Sequence, residues 1–498
     1  MASKKYFDLD IKMQNFTPPK ENKITYGEVN TPYSLINEML DLLEKDDPNV
    51  FKNPSLKWLD PASGCGYYVF ALYNRLYNGL SSVIKSDIKR EKHILTKMIY
   101  VCEINGDNIK ILNDAFSSFK NTINLYEEDF LSTNKETYGL NEGIKFDYII
   151  GNPPYNSNGI KKVPTLKTGN KKNDGTTIWD IFVKHSISLL NDKGKLMFII
   201  PSIWMKPDKA FNYNYFLSHN ILYIKTFSNT KTNSIFKGQA QTPTCYFLLE
   251  NTISISSINT FYLFDSLYND YILYKNLRPS PIPLDFPYIF NCLYNCVLDV
   301  GSINKYISKT NMPGKYIQLG EKYIFDNNSI LKYHNVNTCK IVKRNGKNTP
   351  VLEMRDSNKP CKYNGEPKII MAHKMFGLPY YDKLGEFGIC NRDNYVILIS
   401  EMRADIPDIT DAEIELVIDF LNDPLTIMLY EATRYRMKYL EKYVFSLLPN
   451  IVKLFRISGL NTKYNYMSLF KIIGVNPDIS IKIKDILTSK KHYERVTK

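Results

Sequence analysis

The feature that most constrains this chain is a rhythm. Between about residues 56 and 250, seven short apolar runs alternate with stretches of helical period: LKWLD (56–60), MIYVCEI (98–104), INLYEED (123–129), FDYIIG (146–151), KLMFIIP (195–201), ILYIKTF (221–227) and PTCYFLLE (243–250). Runs that are apolar almost throughout, rather than at every second position, suit strands buried on both faces, and the segments between them supply the helices that cover those faces. The pattern predicts an α/β fold built on a mostly parallel sheet. Helices are expected over Val69 to Leu80, Gly106 to Phe119 and Ile178 to Leu190. In the last of these, Ile178, Ile181, Phe182, His185, Ser186 and Leu189 share a face, with Asn191 to Gly194 as the stop. The last two runs have no helix-period segment between them and are expected to pair as an antiparallel hairpin that closes the sheet.

The chain of 498 residues has room for two or three domains. After about residue 255 the texture turns Tyr- and Asn-rich, with a proline cluster at Pro279 to Pro287 and helix-like stretches at Asp411 to Leu421 and Leu425 to Phe445, which sets a boundary between 255 and 265. The division expected is an N-terminal arm (1–22), an α/β domain (23–257) and a second domain (258–498). Eight cysteines contain no CxxC pair, and no second Cys/His pair answers Cys292 and Cys296, so no metal site is expected. The longest apolar stretch, Leu196 to Met205, is broken by Pro201 and Ser202 and is far short of a bilayer span. The N-terminus offers no secretory h-region, so the expected compartment is the cytoplasm, or the host cytoplasm if the source is viral. Lys and Arg outnumber Asp and Glu by 64 to 51, a net charge of +13 that favours a polyanionic partner.

Three strand ends carry the chemistry of a nucleoside cofactor. The first run ends in Asp60-Pro61-Ala62-Ser63-Gly64-Cys65-Gly66 and leads into a helix. Glycines at such a turn let the backbone approach a ligand, and the helix N-terminus behind favours negatively charged groups. A tight turn of no function has the same appearance. The second run ends at Glu103, where a carboxylate accepts hydrogen bonds from a ribose diol. Asp129, ending the third run, suits an adenine amino group, although a solvated strand-end carboxylate reads the same way. A turn without the third glycine of the dinucleotide fingerprint points to a cofactor lacking pyrophosphate, and so to S-adenosyl-L-methionine rather than NAD.

The fourth run ends in Asn152-Pro153-Pro154-Tyr155. Successive prolines restrict the backbone and fix the residue before them, which makes the segment a rigid pair of acceptors, the Asn152 amide oxygen and the Pro153 carbonyl. An amino group conjugated to a ring is a poor nucleophile because its lone pair is delocalised. Holding both of its N–H bonds favours a tetrahedral nitrogen with a free lone pair, poised to attack a sulfonium methyl group without a strong base. Tyr155 supplies a ring to stack on an extruded base.

Taken together, these residues resemble the N6-adenine DNA methyltransferases of the gamma arrangement found in type II restriction-modification systems, over most of residues 20–250 and in the family's order. The resemblance implies a seven-stranded Rossmann-like class I methyltransferase domain followed by a separate α+β target-recognition domain with a helical C-terminal part. It implies site-specific methyl transfer from S-adenosyl-L-methionine to the N6 of a flipped-out adenine in double-stranded DNA. Tyr26 to Pro32 looks like the family's N-terminal cofactor motif, with Thr31 at the methionine moiety. Asp60, Ala62, Gly64 and Gly66 match the first motif, Glu103 the ribose carboxylate, Asp129 the adenine contact, and Asn152, Pro153 and Tyr155 the catalytic motif, with Asn152 also beside the cofactor. Ser234 to Gly238 is similar to the segment whose ring packs on the flipped base, which nominates Phe236. A monomer, with or without a cognate restriction endonuclease, fits the family.

The long loop Asn156 to Thr177 departs from the family pattern; its lysines (Lys161, Lys162, Lys167, Lys171, Lys172) suit either a solvated loop or phosphate contacts. Basic clusters at Lys343-Arg344-Asn345, Arg355, His373-Lys374 and Arg434/Arg436 are open to the same two readings. Glu366, Lys368 and Asp356 mimic a nuclease triplet, but no nuclease-sized module accompanies them and cleavage is not expected. The clamp also occurs in protein-glutamine and RNA-base methyltransferases, and a catalytically silent DNA-binding protein is a third possibility. That last reading predicts damage to the clamp or the glycine turn, and neither is damaged.

Overall fold

A computed structural model of the chain describes residues 29–117, 123–140, 145–157, 176–208, 211–240, 242–310, 325–326, 332–344, 347–373, 379–390, 394–435, 440–460 and 463–489. It separates into two compact units, one of residues 1–204 and 208–256, the other of residues 205–207 and 257–498.

In the first unit the elements follow as α1 (Tyr33–Asp46), β1 (Trp58–Asp60), α2 (Tyr67–Gly79), α3 (Asp87–His93), β2 (Ile99–Glu103), α4 (Gly106–Phe116), β3 (Asn124–Glu127), β4 (Phe146–Gly151), α5 (Trp179–Leu189), β5 (Leu190–Pro201), α6 (Asn212–Leu217), β6 (His219–Phe227), α7 (Asn229–Ile235) and β7 (Thr244–Ile253). The strands lie in the order β3-β2-β1-β4-β5-β7-β6. The first five are parallel, and β7 runs antiparallel to both of its neighbours. Strands β1 and β2 are buried at every position, as expected of strands covered on both faces. At the centre Trp58 stacks on Tyr148 of the neighbouring strand, with ring centroids 4.3 Å apart. Successive connections leave β1 on opposite sides, so the gap between β1 and β4 at their carboxyl ends is the topological switch point where open sheets of this type bind ligands.

Three expectations need correction. Helix α5 buries Trp179, Phe182, Val183, Ser186, Ile187 and Leu189, while Ile181 is 45% exposed. The buried stripe is thus turned by about one position, 100°, because seating the indole of Trp179 brings Val183 and Ile187 inward with it. Asn191 to Gly194 do not follow the helix as a separate loop. The chain passes from α5 directly into β5, and these residues form an irregularity inside the strand, where Lys193 is left-handed (φ 61°) and the pairing skips from Phe146↔Leu190 to Tyr148↔Lys195. Strands β6 and β7 do pair antiparallel, but α7 sits between them, begun by the Ser228 hydroxyl accepting from the Lys231 amide.

The second unit opens with the hairpin β8 (Ile258–Asp265) and β9 (Asp270–Leu277), followed by α8 (Pro287–Val300). Two four-stranded sheets follow, from β10 (Ile307–Lys309), β11 (Phe325–Asp326), β12 (Tyr333–Arg344), β13 (Lys347–Ser357), β14 (Lys368–Ala372), β15 (Tyr380–Asp382), β16 (Gly388–Ile389) and β17 (Asn394–Leu398), in the orders β10-β17-β14-β15 and β11-β13-β12-β16. Val336, Ile370, Ile389 and Val396 form a shared core between them. Six helices complete the unit: α9 (Ile399–Asp405), α10 (Asp411–Asn422), α11 (Pro424–Glu431), α12 (Ile451–Ile457), α13 (Tyr466–Ile473) and α14 (Pro477–Ser489). The expected long helix Leu425 to Phe445 is therefore only α11. The Ala432 carbonyl is taken by the Leu284 amide and the Tyr435 hydroxyl bonds to the Ile282 carbonyl, which draws the chain off the helical path.

Lys368 and Asp382 form an ion pair (2.7 Å) with side chains 0% and 1% exposed, and Asp382 also accepts from the Glu386 and Phe387 amides. Breaking such a pair leaves a charge buried alone, at a cost of about 3–5 kcal/mol, whereas replacing both members by apolar residues is far milder. Asp382→Ala should accordingly lower the melting temperature sharply and Lys368→Met/Asp382→Leu should recover most of the loss; similar melting of the two variants would contradict this reading of the pair.

Candidate active site

The turn after β1 is built around three acidic or polar contacts. The Ala62 amide donates to Asp60 Oδ1 (3.2 Å), the Gly64 amide to Glu103 Oε2 (2.7 Å) and the Asn105 amide to Glu103 Oε1 (2.9 Å). Glu103 thus ties the glycine turn to the end of β2. Gly66 is left-handed (φ 89°), and a Cβ there would lie 2.4 Å from Leu112 Cδ2, so both backbone and space require glycine. Gly151, ending β4, lies so close to Asp60 that a Cβ would meet its Oδ1 at 2.9 Å. Asp60 and Asn152 therefore flank the switch point from the two strands that border it.

Asp60 Oδ2 is buried without a partner among the described residues. Burial pushes its carboxyl from the ordinary 3.8 up to about 8; the Ala62 amide opposes the rise and the charge of Glu103 adds to it. Asn152 is oriented by two bonds on its nitrogen side, Nδ2 donating to the Val29 carbonyl and to Thr31 Oγ1, both at 3.1 Å. Its Oδ1 is buried with no partner among the described residues. Tyr155, whose carbonyl accepts from the Ile178 amide, likewise has a buried hydroxyl without a partner, and burial holds that phenol well above the usual tyrosine range. Ser202 Oγ, just after β5, the strand next to β4, is a further buried polar atom with no partner among the described residues. Unpaired buried polar atoms cost about 1–3 kcal/mol each, and several at one switch point are the mark of a site completed by a ligand.

Of the residues expected from sequence, Thr31, Asp60, Ala62, Gly64, Gly66, Glu103, Asn152, Pro153 and Tyr155 come together at the carboxyl ends of β1, β2 and β4 and the segment entering α1. Asp129 is exposed at the end of β3 and accepts from the Leu131 amide, starting a short 3-10 turn. Phe236 lies just past α7 and is only 2% exposed. Val29 belongs to the motif singled out from sequence, but its part, played by a backbone carbonyl, leaves no side-chain signal; Tyr68, whose hydroxyl donates to Met39 Sδ (3.2 Å), is not singled out.

Tyr26 to Glu28 and the lysines Lys161, Lys162, Lys167, Lys171 and Lys172 lie outside the described residues. The described ends of that loop are joined, Asn156 pairing with Thr177 and the Ser157 amide donating to the Thr176 carbonyl (2.8 Å). In the second unit Arg355 is exposed on β13, while Asn345, Lys374 and Arg436 lie outside the described residues. The nuclease-like triplet is not assembled: Lys368 is committed to Asp382, and Asp356 accepts from His334 Nδ1 (2.8 Å).

The family described as Eco57I restriction-modification methylase matches residues 81–236. An uncharacterized adenine-specific methylase of Mycoplasma pneumoniae is 29% identical over 244 residues, 36% of this chain and 56% of that protein. The type II methyltransferase M.BstVI of Geobacillus stearothermophilus is 26% identical over 192 residues, 34% of this chain and 32% of that one. The chain thus matches little more than half the length of the first of these relatives and about a third of the second. The structure of the type IIL restriction-modification enzyme MmeI in complex with DNA aligns with 97% of this chain and 78% of its own, at 11% identity and a TM-score of 0.46.

The raised Asp60 carboxyl has a consequence for stability. A carboxyl that holds its proton to about pH 8 in the folded state favours folding most where both states are protonated, below about pH 4, and that contribution is lost as pH rises through 8. Asp60→Asn keeps the acceptor for Ala62 and is neutral throughout. Its melting temperature should equal that of the unmodified chain near pH 4 and exceed it by several degrees near pH 8.5; parallel melting curves across that range would rule out a buried, protonated Asp60.

Proposed function

We propose that this chain is a site-specific DNA methyltransferase that moves a methyl group from S-adenosyl-L-methionine to the exocyclic N6 of adenine in double-stranded DNA. The observation that carries the proposal is the orphaned oxygen of Asn152. Both amide hydrogens are consumed by Val29 and Thr31, so the group offers only an acceptor, buried and unpaired, at the switch point of the sheet. An acceptor there meets the need of a conjugated amine, whose two N–H bonds must be held for its lone pair to turn toward an electrophile. The Pro153 carbonyl is the second acceptor. Prolines at 153 and 154 keep the pair stiff, so little reorganisation is required when the substrate arrives.

The residues present fit the cofactor. Glu103 is buried beside the glycine turn, Gly64 and Gly66 bring backbone close, and Asp60 Oδ2 is a buried carboxyl oxygen left open, among the described residues, to a polar group of the ligand. Asp60, Ala62, Gly64, Gly66, Glu103 and Asp129 would hold S-adenosyl-L-methionine, which supplies an electrophilic methyl on a sulfonium. Asn152 and Pro153 orient the amine, and Tyr155 packs beside the base. Phe236, just past α7, would pack on the base from its other face.

An adenine inside a duplex hides its amino group in the stack, so the proposal entails extruding the base. Residues 258–498, which fall within the second unit, are the proposed target-recognition domain, and the net charge of +13 suits a phosphate backbone. The adenine-specific name of the Mycoplasma pneumoniae relative favours this substrate over glutamine or an RNA base. Labelled S-adenosyl-L-methionine offered with DNA, RNA and protein substrates distinguishes them. Label in N6-methyladenine of DNA is the expected result, and label in glutamine or RNA alone would refute the reading. Asn152→Ala should reduce transfer by about a thousandfold or more while changing cofactor affinity only a few-fold, whereas Glu103→Gln should weaken cofactor binding first. Equal loss of both quantities in Asn152→Ala would make Asn152 a structural residue instead.

A further inference from the structure

The two partners of the Asn152 nitrogen come from one short stretch, Val29 to Thr31, that leads directly into α1. A carbonyl oxygen can only accept, so the amide atom facing Val29 must be nitrogen, and the amide is fixed against a 180° flip. Thr31 is 4% exposed. Its hydroxyl accepts from Asn152 and faces the Tyr68 hydroxyl, so it sits in a buried polar chain that runs from Asn152 to Met39.

The stretch is held in turn by α1. Glu38 Oε1 accepts from Lys225 Nζ on β6 and from the Tyr246 hydroxyl on β7, both at 2.6 Å, and Asp46 pairs with Lys195 on β5. Arg75 of α2 adds a bond to Asp41 (2.5 Å). A helix tied to three strands and a neighbouring helix carries the rigidity of the sheet to Val29 and Thr31.

We propose that Thr31 is a positioning residue of the transfer site: with the Val29 carbonyl it locks the Asn152 amide so that oxygen, and not the N–H pair, meets the substrate amine. The assignment rests on the methyl-transfer reading of the site. Were the amide released to flip, its N–H groups would face the N–H groups of the substrate, two sets of donors with no acceptor between them. This role differs from contact with the cofactor, because the hydroxyl is engaged on Asn152 and a lock on the acceptor clamp acts on turnover rather than on cofactor binding.

The full chain carrying Thr31→Val, which preserves shape and removes the hydroxyl, tests the assignment against Thr31→Ser, which keeps the hydroxyl. With S-adenosyl-L-methionine and duplex DNA, Thr31→Val should lower kcat about tenfold, the equivalent of one ordinary hydrogen bond, and leave the KM for S-adenosyl-L-methionine within about twofold; Thr31→Ser should restore kcat. A readout that needs no turnover is thermal melting: Thr31→Val should lower the melting temperature of the unmodified chain and shift that of Asn152→Ala much less, because the partner is already gone. A tenfold rise in KM with kcat unchanged would make Thr31 a cofactor contact and overturn the proposal. So would unchanged kinetics, failure of Thr31→Ser to restore kcat, or equal melting shifts in both backgrounds. If the unmodified chain methylates nothing, the activity reading falls, while the melting comparison still decides whether Thr31 and Asn152 are coupled.

Discussion

Which end of one amide faces the ligand decides what this site can do. An asparagine has two donors and one acceptor oxygen, and a free side chain offers either end to a ligand. Here Val29 and Thr31 take the nitrogen, so the side chain of Asn152 presents an oxygen alone. The backbone below it is equally constrained, because β4 pairs with β1 as far as Ile149 and with β5 as far as Gly151, and two prolines follow. Sheet pairing, proline geometry and a pair of remote acceptors thus converge on the direction of a single C=O bond.

The same economy explains why buried unpartnered atoms gather at this edge of the sheet. Asp60 Oδ2, Asn152 Oδ1, the Tyr155 hydroxyl and Ser202 Oγ each forgo water without gaining a partner among the described residues. A core with Trp58, Phe146, Tyr148, Ile149, Phe198 and Phe247 nearly or wholly buried offsets that cost. Stability is given up at the switch point and recovered in the strands that form it, as is common where binding sites sit on a rigid scaffold.

The sequence made the strands legible because their runs are apolar on both faces and end in recognisable turns. It made Asp60, Glu103 and Asn152 legible because strand-end position alone singles them out. What it left hidden has physical causes. The rotation of α5 turned on whether Trp179 or Ile181 faces inward, and a periodicity with apolar residues at 178, 179, 181, 182 and 183 admits both. Helix α7 (NTKTNSI) has almost no apolar periodicity and is marked only by the Ser228 cap. The end of α11 depends on bonds to Ile282 and Leu284, about 150 residues upstream, which no local pattern reveals. The Val29 carbonyl, 123 residues from Asn152, is common to every residue type and therefore silent in sequence.

The most direct test of the central claim is a crystal structure of the chain with duplex DNA containing the target adenine and a non-reactive S-adenosyl-L-methionine analogue. The account predicts Asn152 Oδ1 within about 2.7–3.2 Å of the exocyclic nitrogen, with Nδ2 still bonded to Val29 and Thr31. An Asn152 that points its nitrogen at the base, or a base bound far from the β1–β4 switch point, would contradict it.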